Sequence, residues 1–127
     1  MHKGRVMVLG SANMDLVVRS PRFPEPGETI LGHGFATFPG GKGANQAAAA
    51  GKLGAKPAFT AKIGSDAFGP QLISSLLRCG VDTACVIMDP NLATGIAMIT
   101  VSDLGQNTIV VASGANAELY PDEAVDE

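Results

Sequence analysis

The run Phe38-Pro39-Gly40-Gly41-Lys42-Gly43-Ala44-Asn45-Gln46 constrains this chain more than any other stretch. Glycines at 40, 41 and 43 give a backbone that can turn sharply and approach a ligand with no Cβ in the way. The residues that follow, Ala44 to Leu53, are rich in alanine and free of proline, so a helix is expected to begin near Ala44. A loop entering a helix N-terminus presents N–H groups to whatever lies in front. Lys42 and Asn45 add a charged donor and an amide at that mouth. The stretch reads as a binding site; the plainer reading is a glycine hinge carrying a solvated lysine.

Two familiar phosphate-binding loops are excluded. A P-loop requires Gly-x-x-x-x-Gly-Lys-Ser/Thr, but Ala36 stands where the first glycine belongs and Gly43 replaces the hydroxyl that would reach magnesium. A dinucleotide fingerprint requires Gly-x-Gly-x-x-Gly directly after the first strand, and none is present.

Size and charge narrow the partners. At 127 residues the chain is at most one domain with a real core. Its apolar share of 46% argues for a folded chain. Nine basic against twelve acidic residues leave no cationic stripe, so nucleic acid is not an expected partner. No apolar run has the length of a membrane span and the N-terminus lacks a signal-peptide layout, so a cytoplasmic protein is expected. Cys79 and Cys85 are too few for a disulfide framework and are expected reduced in the core.

Taken in order, the residues predict an α/β chain. Arg5 to Leu9 is a continuous apolar run ending at Gly10-Ser11, the pattern of a buried parallel strand. Ligands in open α/β sheets bind beyond the carboxyl ends of strands, where Asn13 and Asp15 fall. In extended backbone residues two apart face the same side, so an amide and a carboxylate would point together. Such a pair suits the hydroxyls of a polyol; it also suits two turn residues bonding their own backbone. Pro21, Pro24 and Pro26 make a loop, after which Thr29 to Leu31 and Phe35 to Phe38 read as strand pieces with no helix between, an antiparallel flap beside the parallel sheet. His33, between glycines, reads as a solvent-facing turn residue.

Gly51 and Gly54 are expected to close the first helix, with Gly54 as its cap. Pro57 to Ile63 is the next strand. Gly64-Ser65-Asp66 offers an N-cap to an amphipathic helix from Phe68 to Cys79, in which Phe68, Leu72, Ile73, Leu76 and Leu77 are expected to share a face and Gly80 to end the run. Val81 to Met88 reads as a strand, and Gly95 to Val101 with Asn107 to Val111 as a hairpin. Met7, Met14, Met88 and Met98 lie in apolar runs and are expected in the core. Pro121 with Asp122 and Glu123 starts a last helix, and the expectation is of a chain cut short at Glu127.

With these pieces assembled, the chain resembles the ribokinase-like (PfkB) carbohydrate kinases from Val6 to its last residue. The carriers are Asn13-x-Asp15, Gly40-Gly-Lys-Gly-Ala-Asn-Gln46, Ile63-Gly64-Ser-Asp66-Ala-Phe-Gly69, Thr94-Gly95-Ile-Ala and Gly114-Ala-Asn-Ala117. The glycine segment is worded as in the ribokinases of that family, where fructokinases and adenosine kinases vary. The resemblance implies a ribokinase-like fold: residues 1–127 as the N-terminal part of one domain, a parallel sheet flanked by helices and incomplete here, and a small antiparallel β lid from about 15–38 and 95–112. It implies transfer of the γ-phosphoryl group of Mg2+-bound ATP to the 5-hydroxyl of D-ribose, with K+ as activator. Asn13, Met14, Asp15, Gly41, Lys42, Gly43, Ala44 and Asn45 would then contact the sugar, Gly40 and Gly41 would act as a hinge, and the lid would pair with a second subunit. The family's catalytic aspartate belongs to a later Gly-Ala-Gly-Asp segment that this chain does not contain, so no residue here is assigned as the base and the chain by itself is expected to be inactive. Deoxyribose, fructose or a nucleoside remain as alternative substrates, and a stand-alone binding or dimerising module as an alternative to an enzyme.

Overall fold

A strand buried on both faces needs neighbours on both edges and cover above and below, and Ala58–Gly64 has all of these. The computed structural model describes residues 4–125. Its first half comprises β1 (Met7–Leu9), β2 (Asn13–Ser20), β3 (Gly34–Gly40), α1 (Lys42–Lys52) and β4 (Ala58–Gly64). The second half comprises α2 (Phe68–Arg78), β5 (Val86–Asp89), β6 (Gly95–Ser102), β7 (Asn107–Ala112), a 3-10 turn (Gly114–Glu118) and α3 (Pro121–Val125).

Two sheets result. The first is parallel, in the order β1-β4-β5. Alternation along β4 sends Phe59, Ala61 and Ile63 into the core with Ala44 and Ala47 of α1 and Leu72 and Leu76 of α2. On its other face Lys62 is buried beneath the 3-10 turn, where its Nζ donates to the Glu118 carbonyl (3.0 Å) and to Glu123 Oε1 (2.7 Å). The second sheet has the order β3-β2-β6-β7. Its outer pairs are antiparallel, as a flap predicts, but its central pair β2–β6 is parallel. β6 follows the crossover through α2 and β5, so it enters running the same way as β2.

β1 of the first sheet passes into β2 of the second through only Gly10, Ser11 and Ala12. Ala12 is fully buried, and Gly10 lies so close to α1 that a Cβ on Gly43 would sit 2.7 Å from the Gly10 Cα. A second connection is made by hydrogen bonds. Thr94, just before β6, donates its hydroxyl to Asp66 Oδ1 (2.7 Å), accepts the Gly64 N–H (3.0 Å), and donates its own N–H to Asp66 Oδ2 (2.9 Å). Asp66 also accepts the Gly69 N–H at the start of α2, from one position before the N-cap itself, which is Ala67 and not a residue of the expected Gly64-Ser65-Asp66 run.

Several expectations are corrected. α1 begins at Lys42 rather than Ala44, because Gly43 belongs to the helical turn packed on Gly10. Thr29 to Leu31 forms no strand, and the segment after Val81 makes only an isolated bridge from Asp82 to Ala58 before β5 starts at Val86. Leu77 is exposed: nine residues at 100° each place it half a turn from Phe68. Met14 is buried, but Met7, Met88 and Met98 are exposed. Met7 lies on β1, which pairs with β4 on one edge only among the described residues. Met98 lies on the face of the second sheet away from Asp15. Cys79 and Cys85 are partly buried and no disulfide joins them. His33 is exposed as expected, yet its Nε2 lies 2.8 Å from Asp103 Oδ1 in the β6–β7 turn, a contact that sequence spacing could not show.

The strap at Thr94 has a measurable consequence. Burial pushes the Asp66 carboxyl upward, but hydrogen bonds from the Thr94 hydroxyl and the N–H groups of Thr94, Gly69 and Phe68 outweigh it and hold its pKa below the ordinary value. A depressed carboxyl stabilises the fold above its unfolded pKa, and that contribution is lost as pH falls through the folded value. Thr94→Val, which leaves the Gly64 N–H without its acceptor, should cost about 1–3 kcal/mol in denaturant unfolding at pH 7. The same substitution should flatten the loss of stability below the usual carboxylate range. An unchanged unfolding midpoint would mean the two sheets are held together by other contacts.

Candidate functional site

Where β1 ends and β2 begins, the pairing register determines what each side chain meets. Asn13 on β2 is opposite Gly40 of β3 on one side and Gly95 of β6 on the other. A Cβ on Gly95 would fall 2.5 Å from Asn13 Oδ1, so the glycine leaves the room that the Asn13 amide occupies. Two residues along, and on the same face, Asp15 is opposite Phe38 and Ala97, with Val111 beyond Ala97. A Cβ on Gly40 would lie 2.6 Å from both carboxylate oxygens of Asp15. Gly40 is therefore needed for space. Gly41 is needed for its torsion: at φ +95° it turns the chain from β3 into α1, against the backbone of Ser11 and Ala12.

The electrostatics single out Asp15. Partial burial between apolar neighbours raises its pKa from the ordinary value. No described residue gives its carboxylate a hydrogen bond or an ion pair. A half-buried carboxylate without a protein partner, next to an amide, is an arrangement that bound hydroxyl groups can satisfy.

The glycine loop contributes less than its helix position suggested. The Ala44 N–H is taken by the Ser11 carbonyl (3.0 Å) and the Asn45 N–H by the Gly41 carbonyl (2.8 Å), so neither faces outward. Lys42 and Asn45 are exposed on the first turn of α1, and their side chains hydrogen-bond to no described residue. Gly43 and Ala44 are buried in the packing of α1. Met14 points into the core on the face opposite Asp15, so any ligand contact it makes is through its backbone. On that opposite face a hollow of about 440 Å³ lies between the second sheet and α2, lined by Met14, Thr37, Pro39, Gln71 and Arg78 among others. It holds neither Asn13 nor Asp15.

Sequence reasoning passed over one residue at this site. Asn116, in the 3-10 turn, accepts the Ala12 N–H at Oδ1 (2.9 Å) and donates from Nδ2 to the Ala12 carbonyl (3.2 Å) and to Asn13 Oδ1 (2.6 Å). The two asparagines are 103 positions apart in the chain. The available signal was the wording Gly114-Ala-Asn-Ala117, which carried no role until the strands were paired.

This geometry can be set beside known proteins. The sequence profile of the pfkB family of carbohydrate kinases matches residues 3–127. The chain belongs to this family. It is 46% identical over 112 residues to the ribokinase of Haemophilus influenzae, covering 88% of this chain and 37% of that protein. The solved ribokinase of Thermotoga maritima superposes with a TM-score of 0.86 at 40% identity, over 93% of this chain and 39% of its own. The Arabidopsis thaliana ribokinase, solved with ribose and ATP, gives 0.82 at 40% identity, over 88% and 36%. The chain thus spans under two-fifths of the length of these pfkB relatives, and the ribokinase-like α/β fold with its second small sheet is shown.

A pfkB member that keeps Asp15 for its ligand should carry a stability cost there. A raised carboxyl pKa means that the protonated form is the favoured one in the fold, so its contribution to stability falls as pH rises through the folded value. Asp15→Asn should therefore leave the thermal midpoint at pH 7 unchanged or higher. The variant should also lose less stability than the parent between pH 4 and pH 7. A fall in the midpoint at pH 7 would show that the carboxylate has a structural partner after all.

Proposed function

We propose that this chain supplies the sugar-binding face and the lid of an ATP-dependent ribokinase, a cytoplasmic enzyme that moves the γ-phosphoryl group of ATP to the 5-hydroxyl of D-ribose. The observation that carries the reading is the Asp15 carboxylate, half-buried, without a partner among the described residues and cleared by Gly40, with Asn13 beside it on the same face. Asp15 accepts from sugar hydroxyls and Asn13 holds a neighbouring one. Lys42 and Asn45 close the opposite edge, with the backbones of Met14, Gly41, Gly43 and Ala44 within the same segments.

The second sheet is the lid in this reading. Val17, Phe38, Ile99, Ile109 and Val111 share the face of Asp15 by register, and Phe38, Ile109 and Val111 are more than half exposed. Such a face covers the apolar side of a sugar and excludes water, which would otherwise compete for the phosphoryl group. Its outer part is also the surface through which the lid pairs with a second subunit. Gly40 and Gly41 form the hinge.

Magnesium fits less well here. Among the described residues no three carboxylate, imidazole or thiol groups converge to hold a metal ion. The reading therefore assigns Mg2+-bound ATP, the activating K+ and the catalytic base to other parts of the enzyme, and no step is routed through them by this chain.

In the intact protein, D-ribose should be phosphorylated in preference to 2-deoxyribose, fructose and adenosine when the four compete. Asp15→Ala should lower kcat/KM for ribose by about 10- to 100-fold, the range for a lost hydrogen bond to a charged group. Preference for adenosine would transfer the site to a nucleoside. Gly40→Val, which drives a side chain into the Asp15 carboxylate, should weaken both sugar affinity and turnover; unchanged values would remove Gly40 from the hinge and from the site.

A further inference from the structure

The Asn13 side chain can present either a donor or an acceptor to a ligand, and one residue decides which. We infer that Asn116 is a positioning residue that locks the Asn13 amide with its Nδ2 donor toward the ligand, so that the group bound there must be a hydrogen-bond acceptor. The inference rests on the sugar-binding reading of this site and names the polarity of one of its contacts.

Backbone atoms have donor and acceptor roles that cannot be exchanged. The Ala12 N–H is a donor, and the Asn116 atom 2.9 Å from it must be the acceptor Oδ1. The Ala12 carbonyl is an acceptor, and the Asn116 atom 3.2 Å from it must be the donor Nδ2. Asn116 thus straddles one residue with both halves of its amide, and neither half can be exchanged without placing like against like. Its Nδ2 has a second proton, and 2.6 Å away lies an atom of the Asn13 amide. That atom must accept, so it is Oδ1. The Asn13 Nδ2 is then turned away from Asn116, and no described residue accepts from it.

The surroundings hold this relay rigid. Ala12 and Ala115 are fully buried. The Ala115 N–H donates to the Ala93 carbonyl (2.8 Å), and Lys62 holds the end of the same turn through the Glu118 carbonyl. Gly95 is the only residue type that fits, since a Cβ there would collide with Asn116 Nδ2 and approach Asn13 Oδ1. Beside this fixed donor stands the fixed acceptor Asp15. The pair demands a ligand with an acceptor and a donor side by side, as two adjacent hydroxyls provide.

The test is a double-mutant cycle on ribose binding to the intact protein by calorimetry, joined to NMR of the side-chain amides. If Asn116 acts through Asn13, N116A should weaken ribose by about tenfold, the scale of one lost hydrogen bond, and N13A/N116A should be no weaker than N13A. Additive losses, or unchanged affinity in N116A, would overturn the inference. N116D keeps the size of the side chain and the bond from the Ala12 N–H but gives up both donations, to the Ala12 carbonyl and to Asn13, so the Asn13 amide should reverse. Its NH2 protons, exposed to exchange in the parent, should become protected in N116D. Protection of those protons already in the parent would overturn the inference with no sugar present. If the parent binds no ribose yet the exchange pattern is as stated, the sugar reading fails while the polarity of Asn13 stands.

Discussion

The structure depends on three residues passing between two sheets where the packing is too close for a side chain on any of the glycines that meet there. Gly10, Ser11 and Ala12 leave β1 and enter β2, and α1 presses against them from the side at Gly43. Gly41 meets the same backbone from the end of β3, and the Asn116 amide from the 3-10 turn. A Cβ on Gly10, Gly41 or Gly43 would fall within 3 Å of backbone belonging to its neighbours. Packing this close leaves little latitude for the corner, so Asn13 and Asp15 emerge from it in one defined place. The polar pair is positioned by absent side chains as much as by its own contacts.

The two aspartates near this corner show how the same group serves different ends. Asp66 is surrounded by donors and its pKa falls, the signature of a carboxylate built into the fold. Asp15 lies between Phe38 and Ala97, meets no donor among the described residues, and its pKa rises. An unsatisfied, half-buried carboxylate carries a stability cost, which is why the proposed site is placed on Asp15 and not on Asp66. Lys62 belongs with Asp66: it is buried, but Glu123 and the Glu118 carbonyl satisfy it, and its hydrogen bond to Glu123 raises its pKa. Burial alone would not have separated these three residues; their partners do.

Local signals in the sequence were enough for much of this. The alternation of Asn13 and Asp15, the glycines ahead of an alanine-rich helix, and the β6–β7 hairpin depend on residues a few positions apart, and all three are found. Expectations failed where tertiary context decides. Met7 and Met98 are apolar and lie on strands, yet face open sheet surfaces. Thr29 to Leu31 has strand-forming residues but no partner strand among the described residues. Asn116, Thr94 and the His33–Asp103 contact were beyond reach for a different reason: each acts across 28 to 103 positions, through a register that no short window contains. The direction of β6 belongs to this class too, since only the intervening crossover makes it parallel to β2.

The placement of the polar pair bears on how a lid could close without losing its ligand. The chain crosses between the sheets at residues 10–12, at Gly40 and Gly41, and at Thr94 and Gly95. In the second sheet these crossings fall on one row, Gly40–Asn13–Gly95. A rotation of the proposed lid about that row would carry the His33–Asp103 tip furthest and move Asn13 least, since displacement grows with distance from the axis. Asp15, two residues outward, would travel only slightly more. A sugar held at the root of the lid could then keep its polar contacts throughout, together with the apolar cover from Phe38 and Val111 on the row of Asp15, while Ile109 and the tip beyond it move further over its outer side. In the proposed lid the glycines of that row would serve the motion and the site together: they leave the space the Asn13 and Asp15 side chains occupy, and they keep bulk away from the axis. Recognition at the axis and exclusion of water further out would then be separate tasks of one sheet.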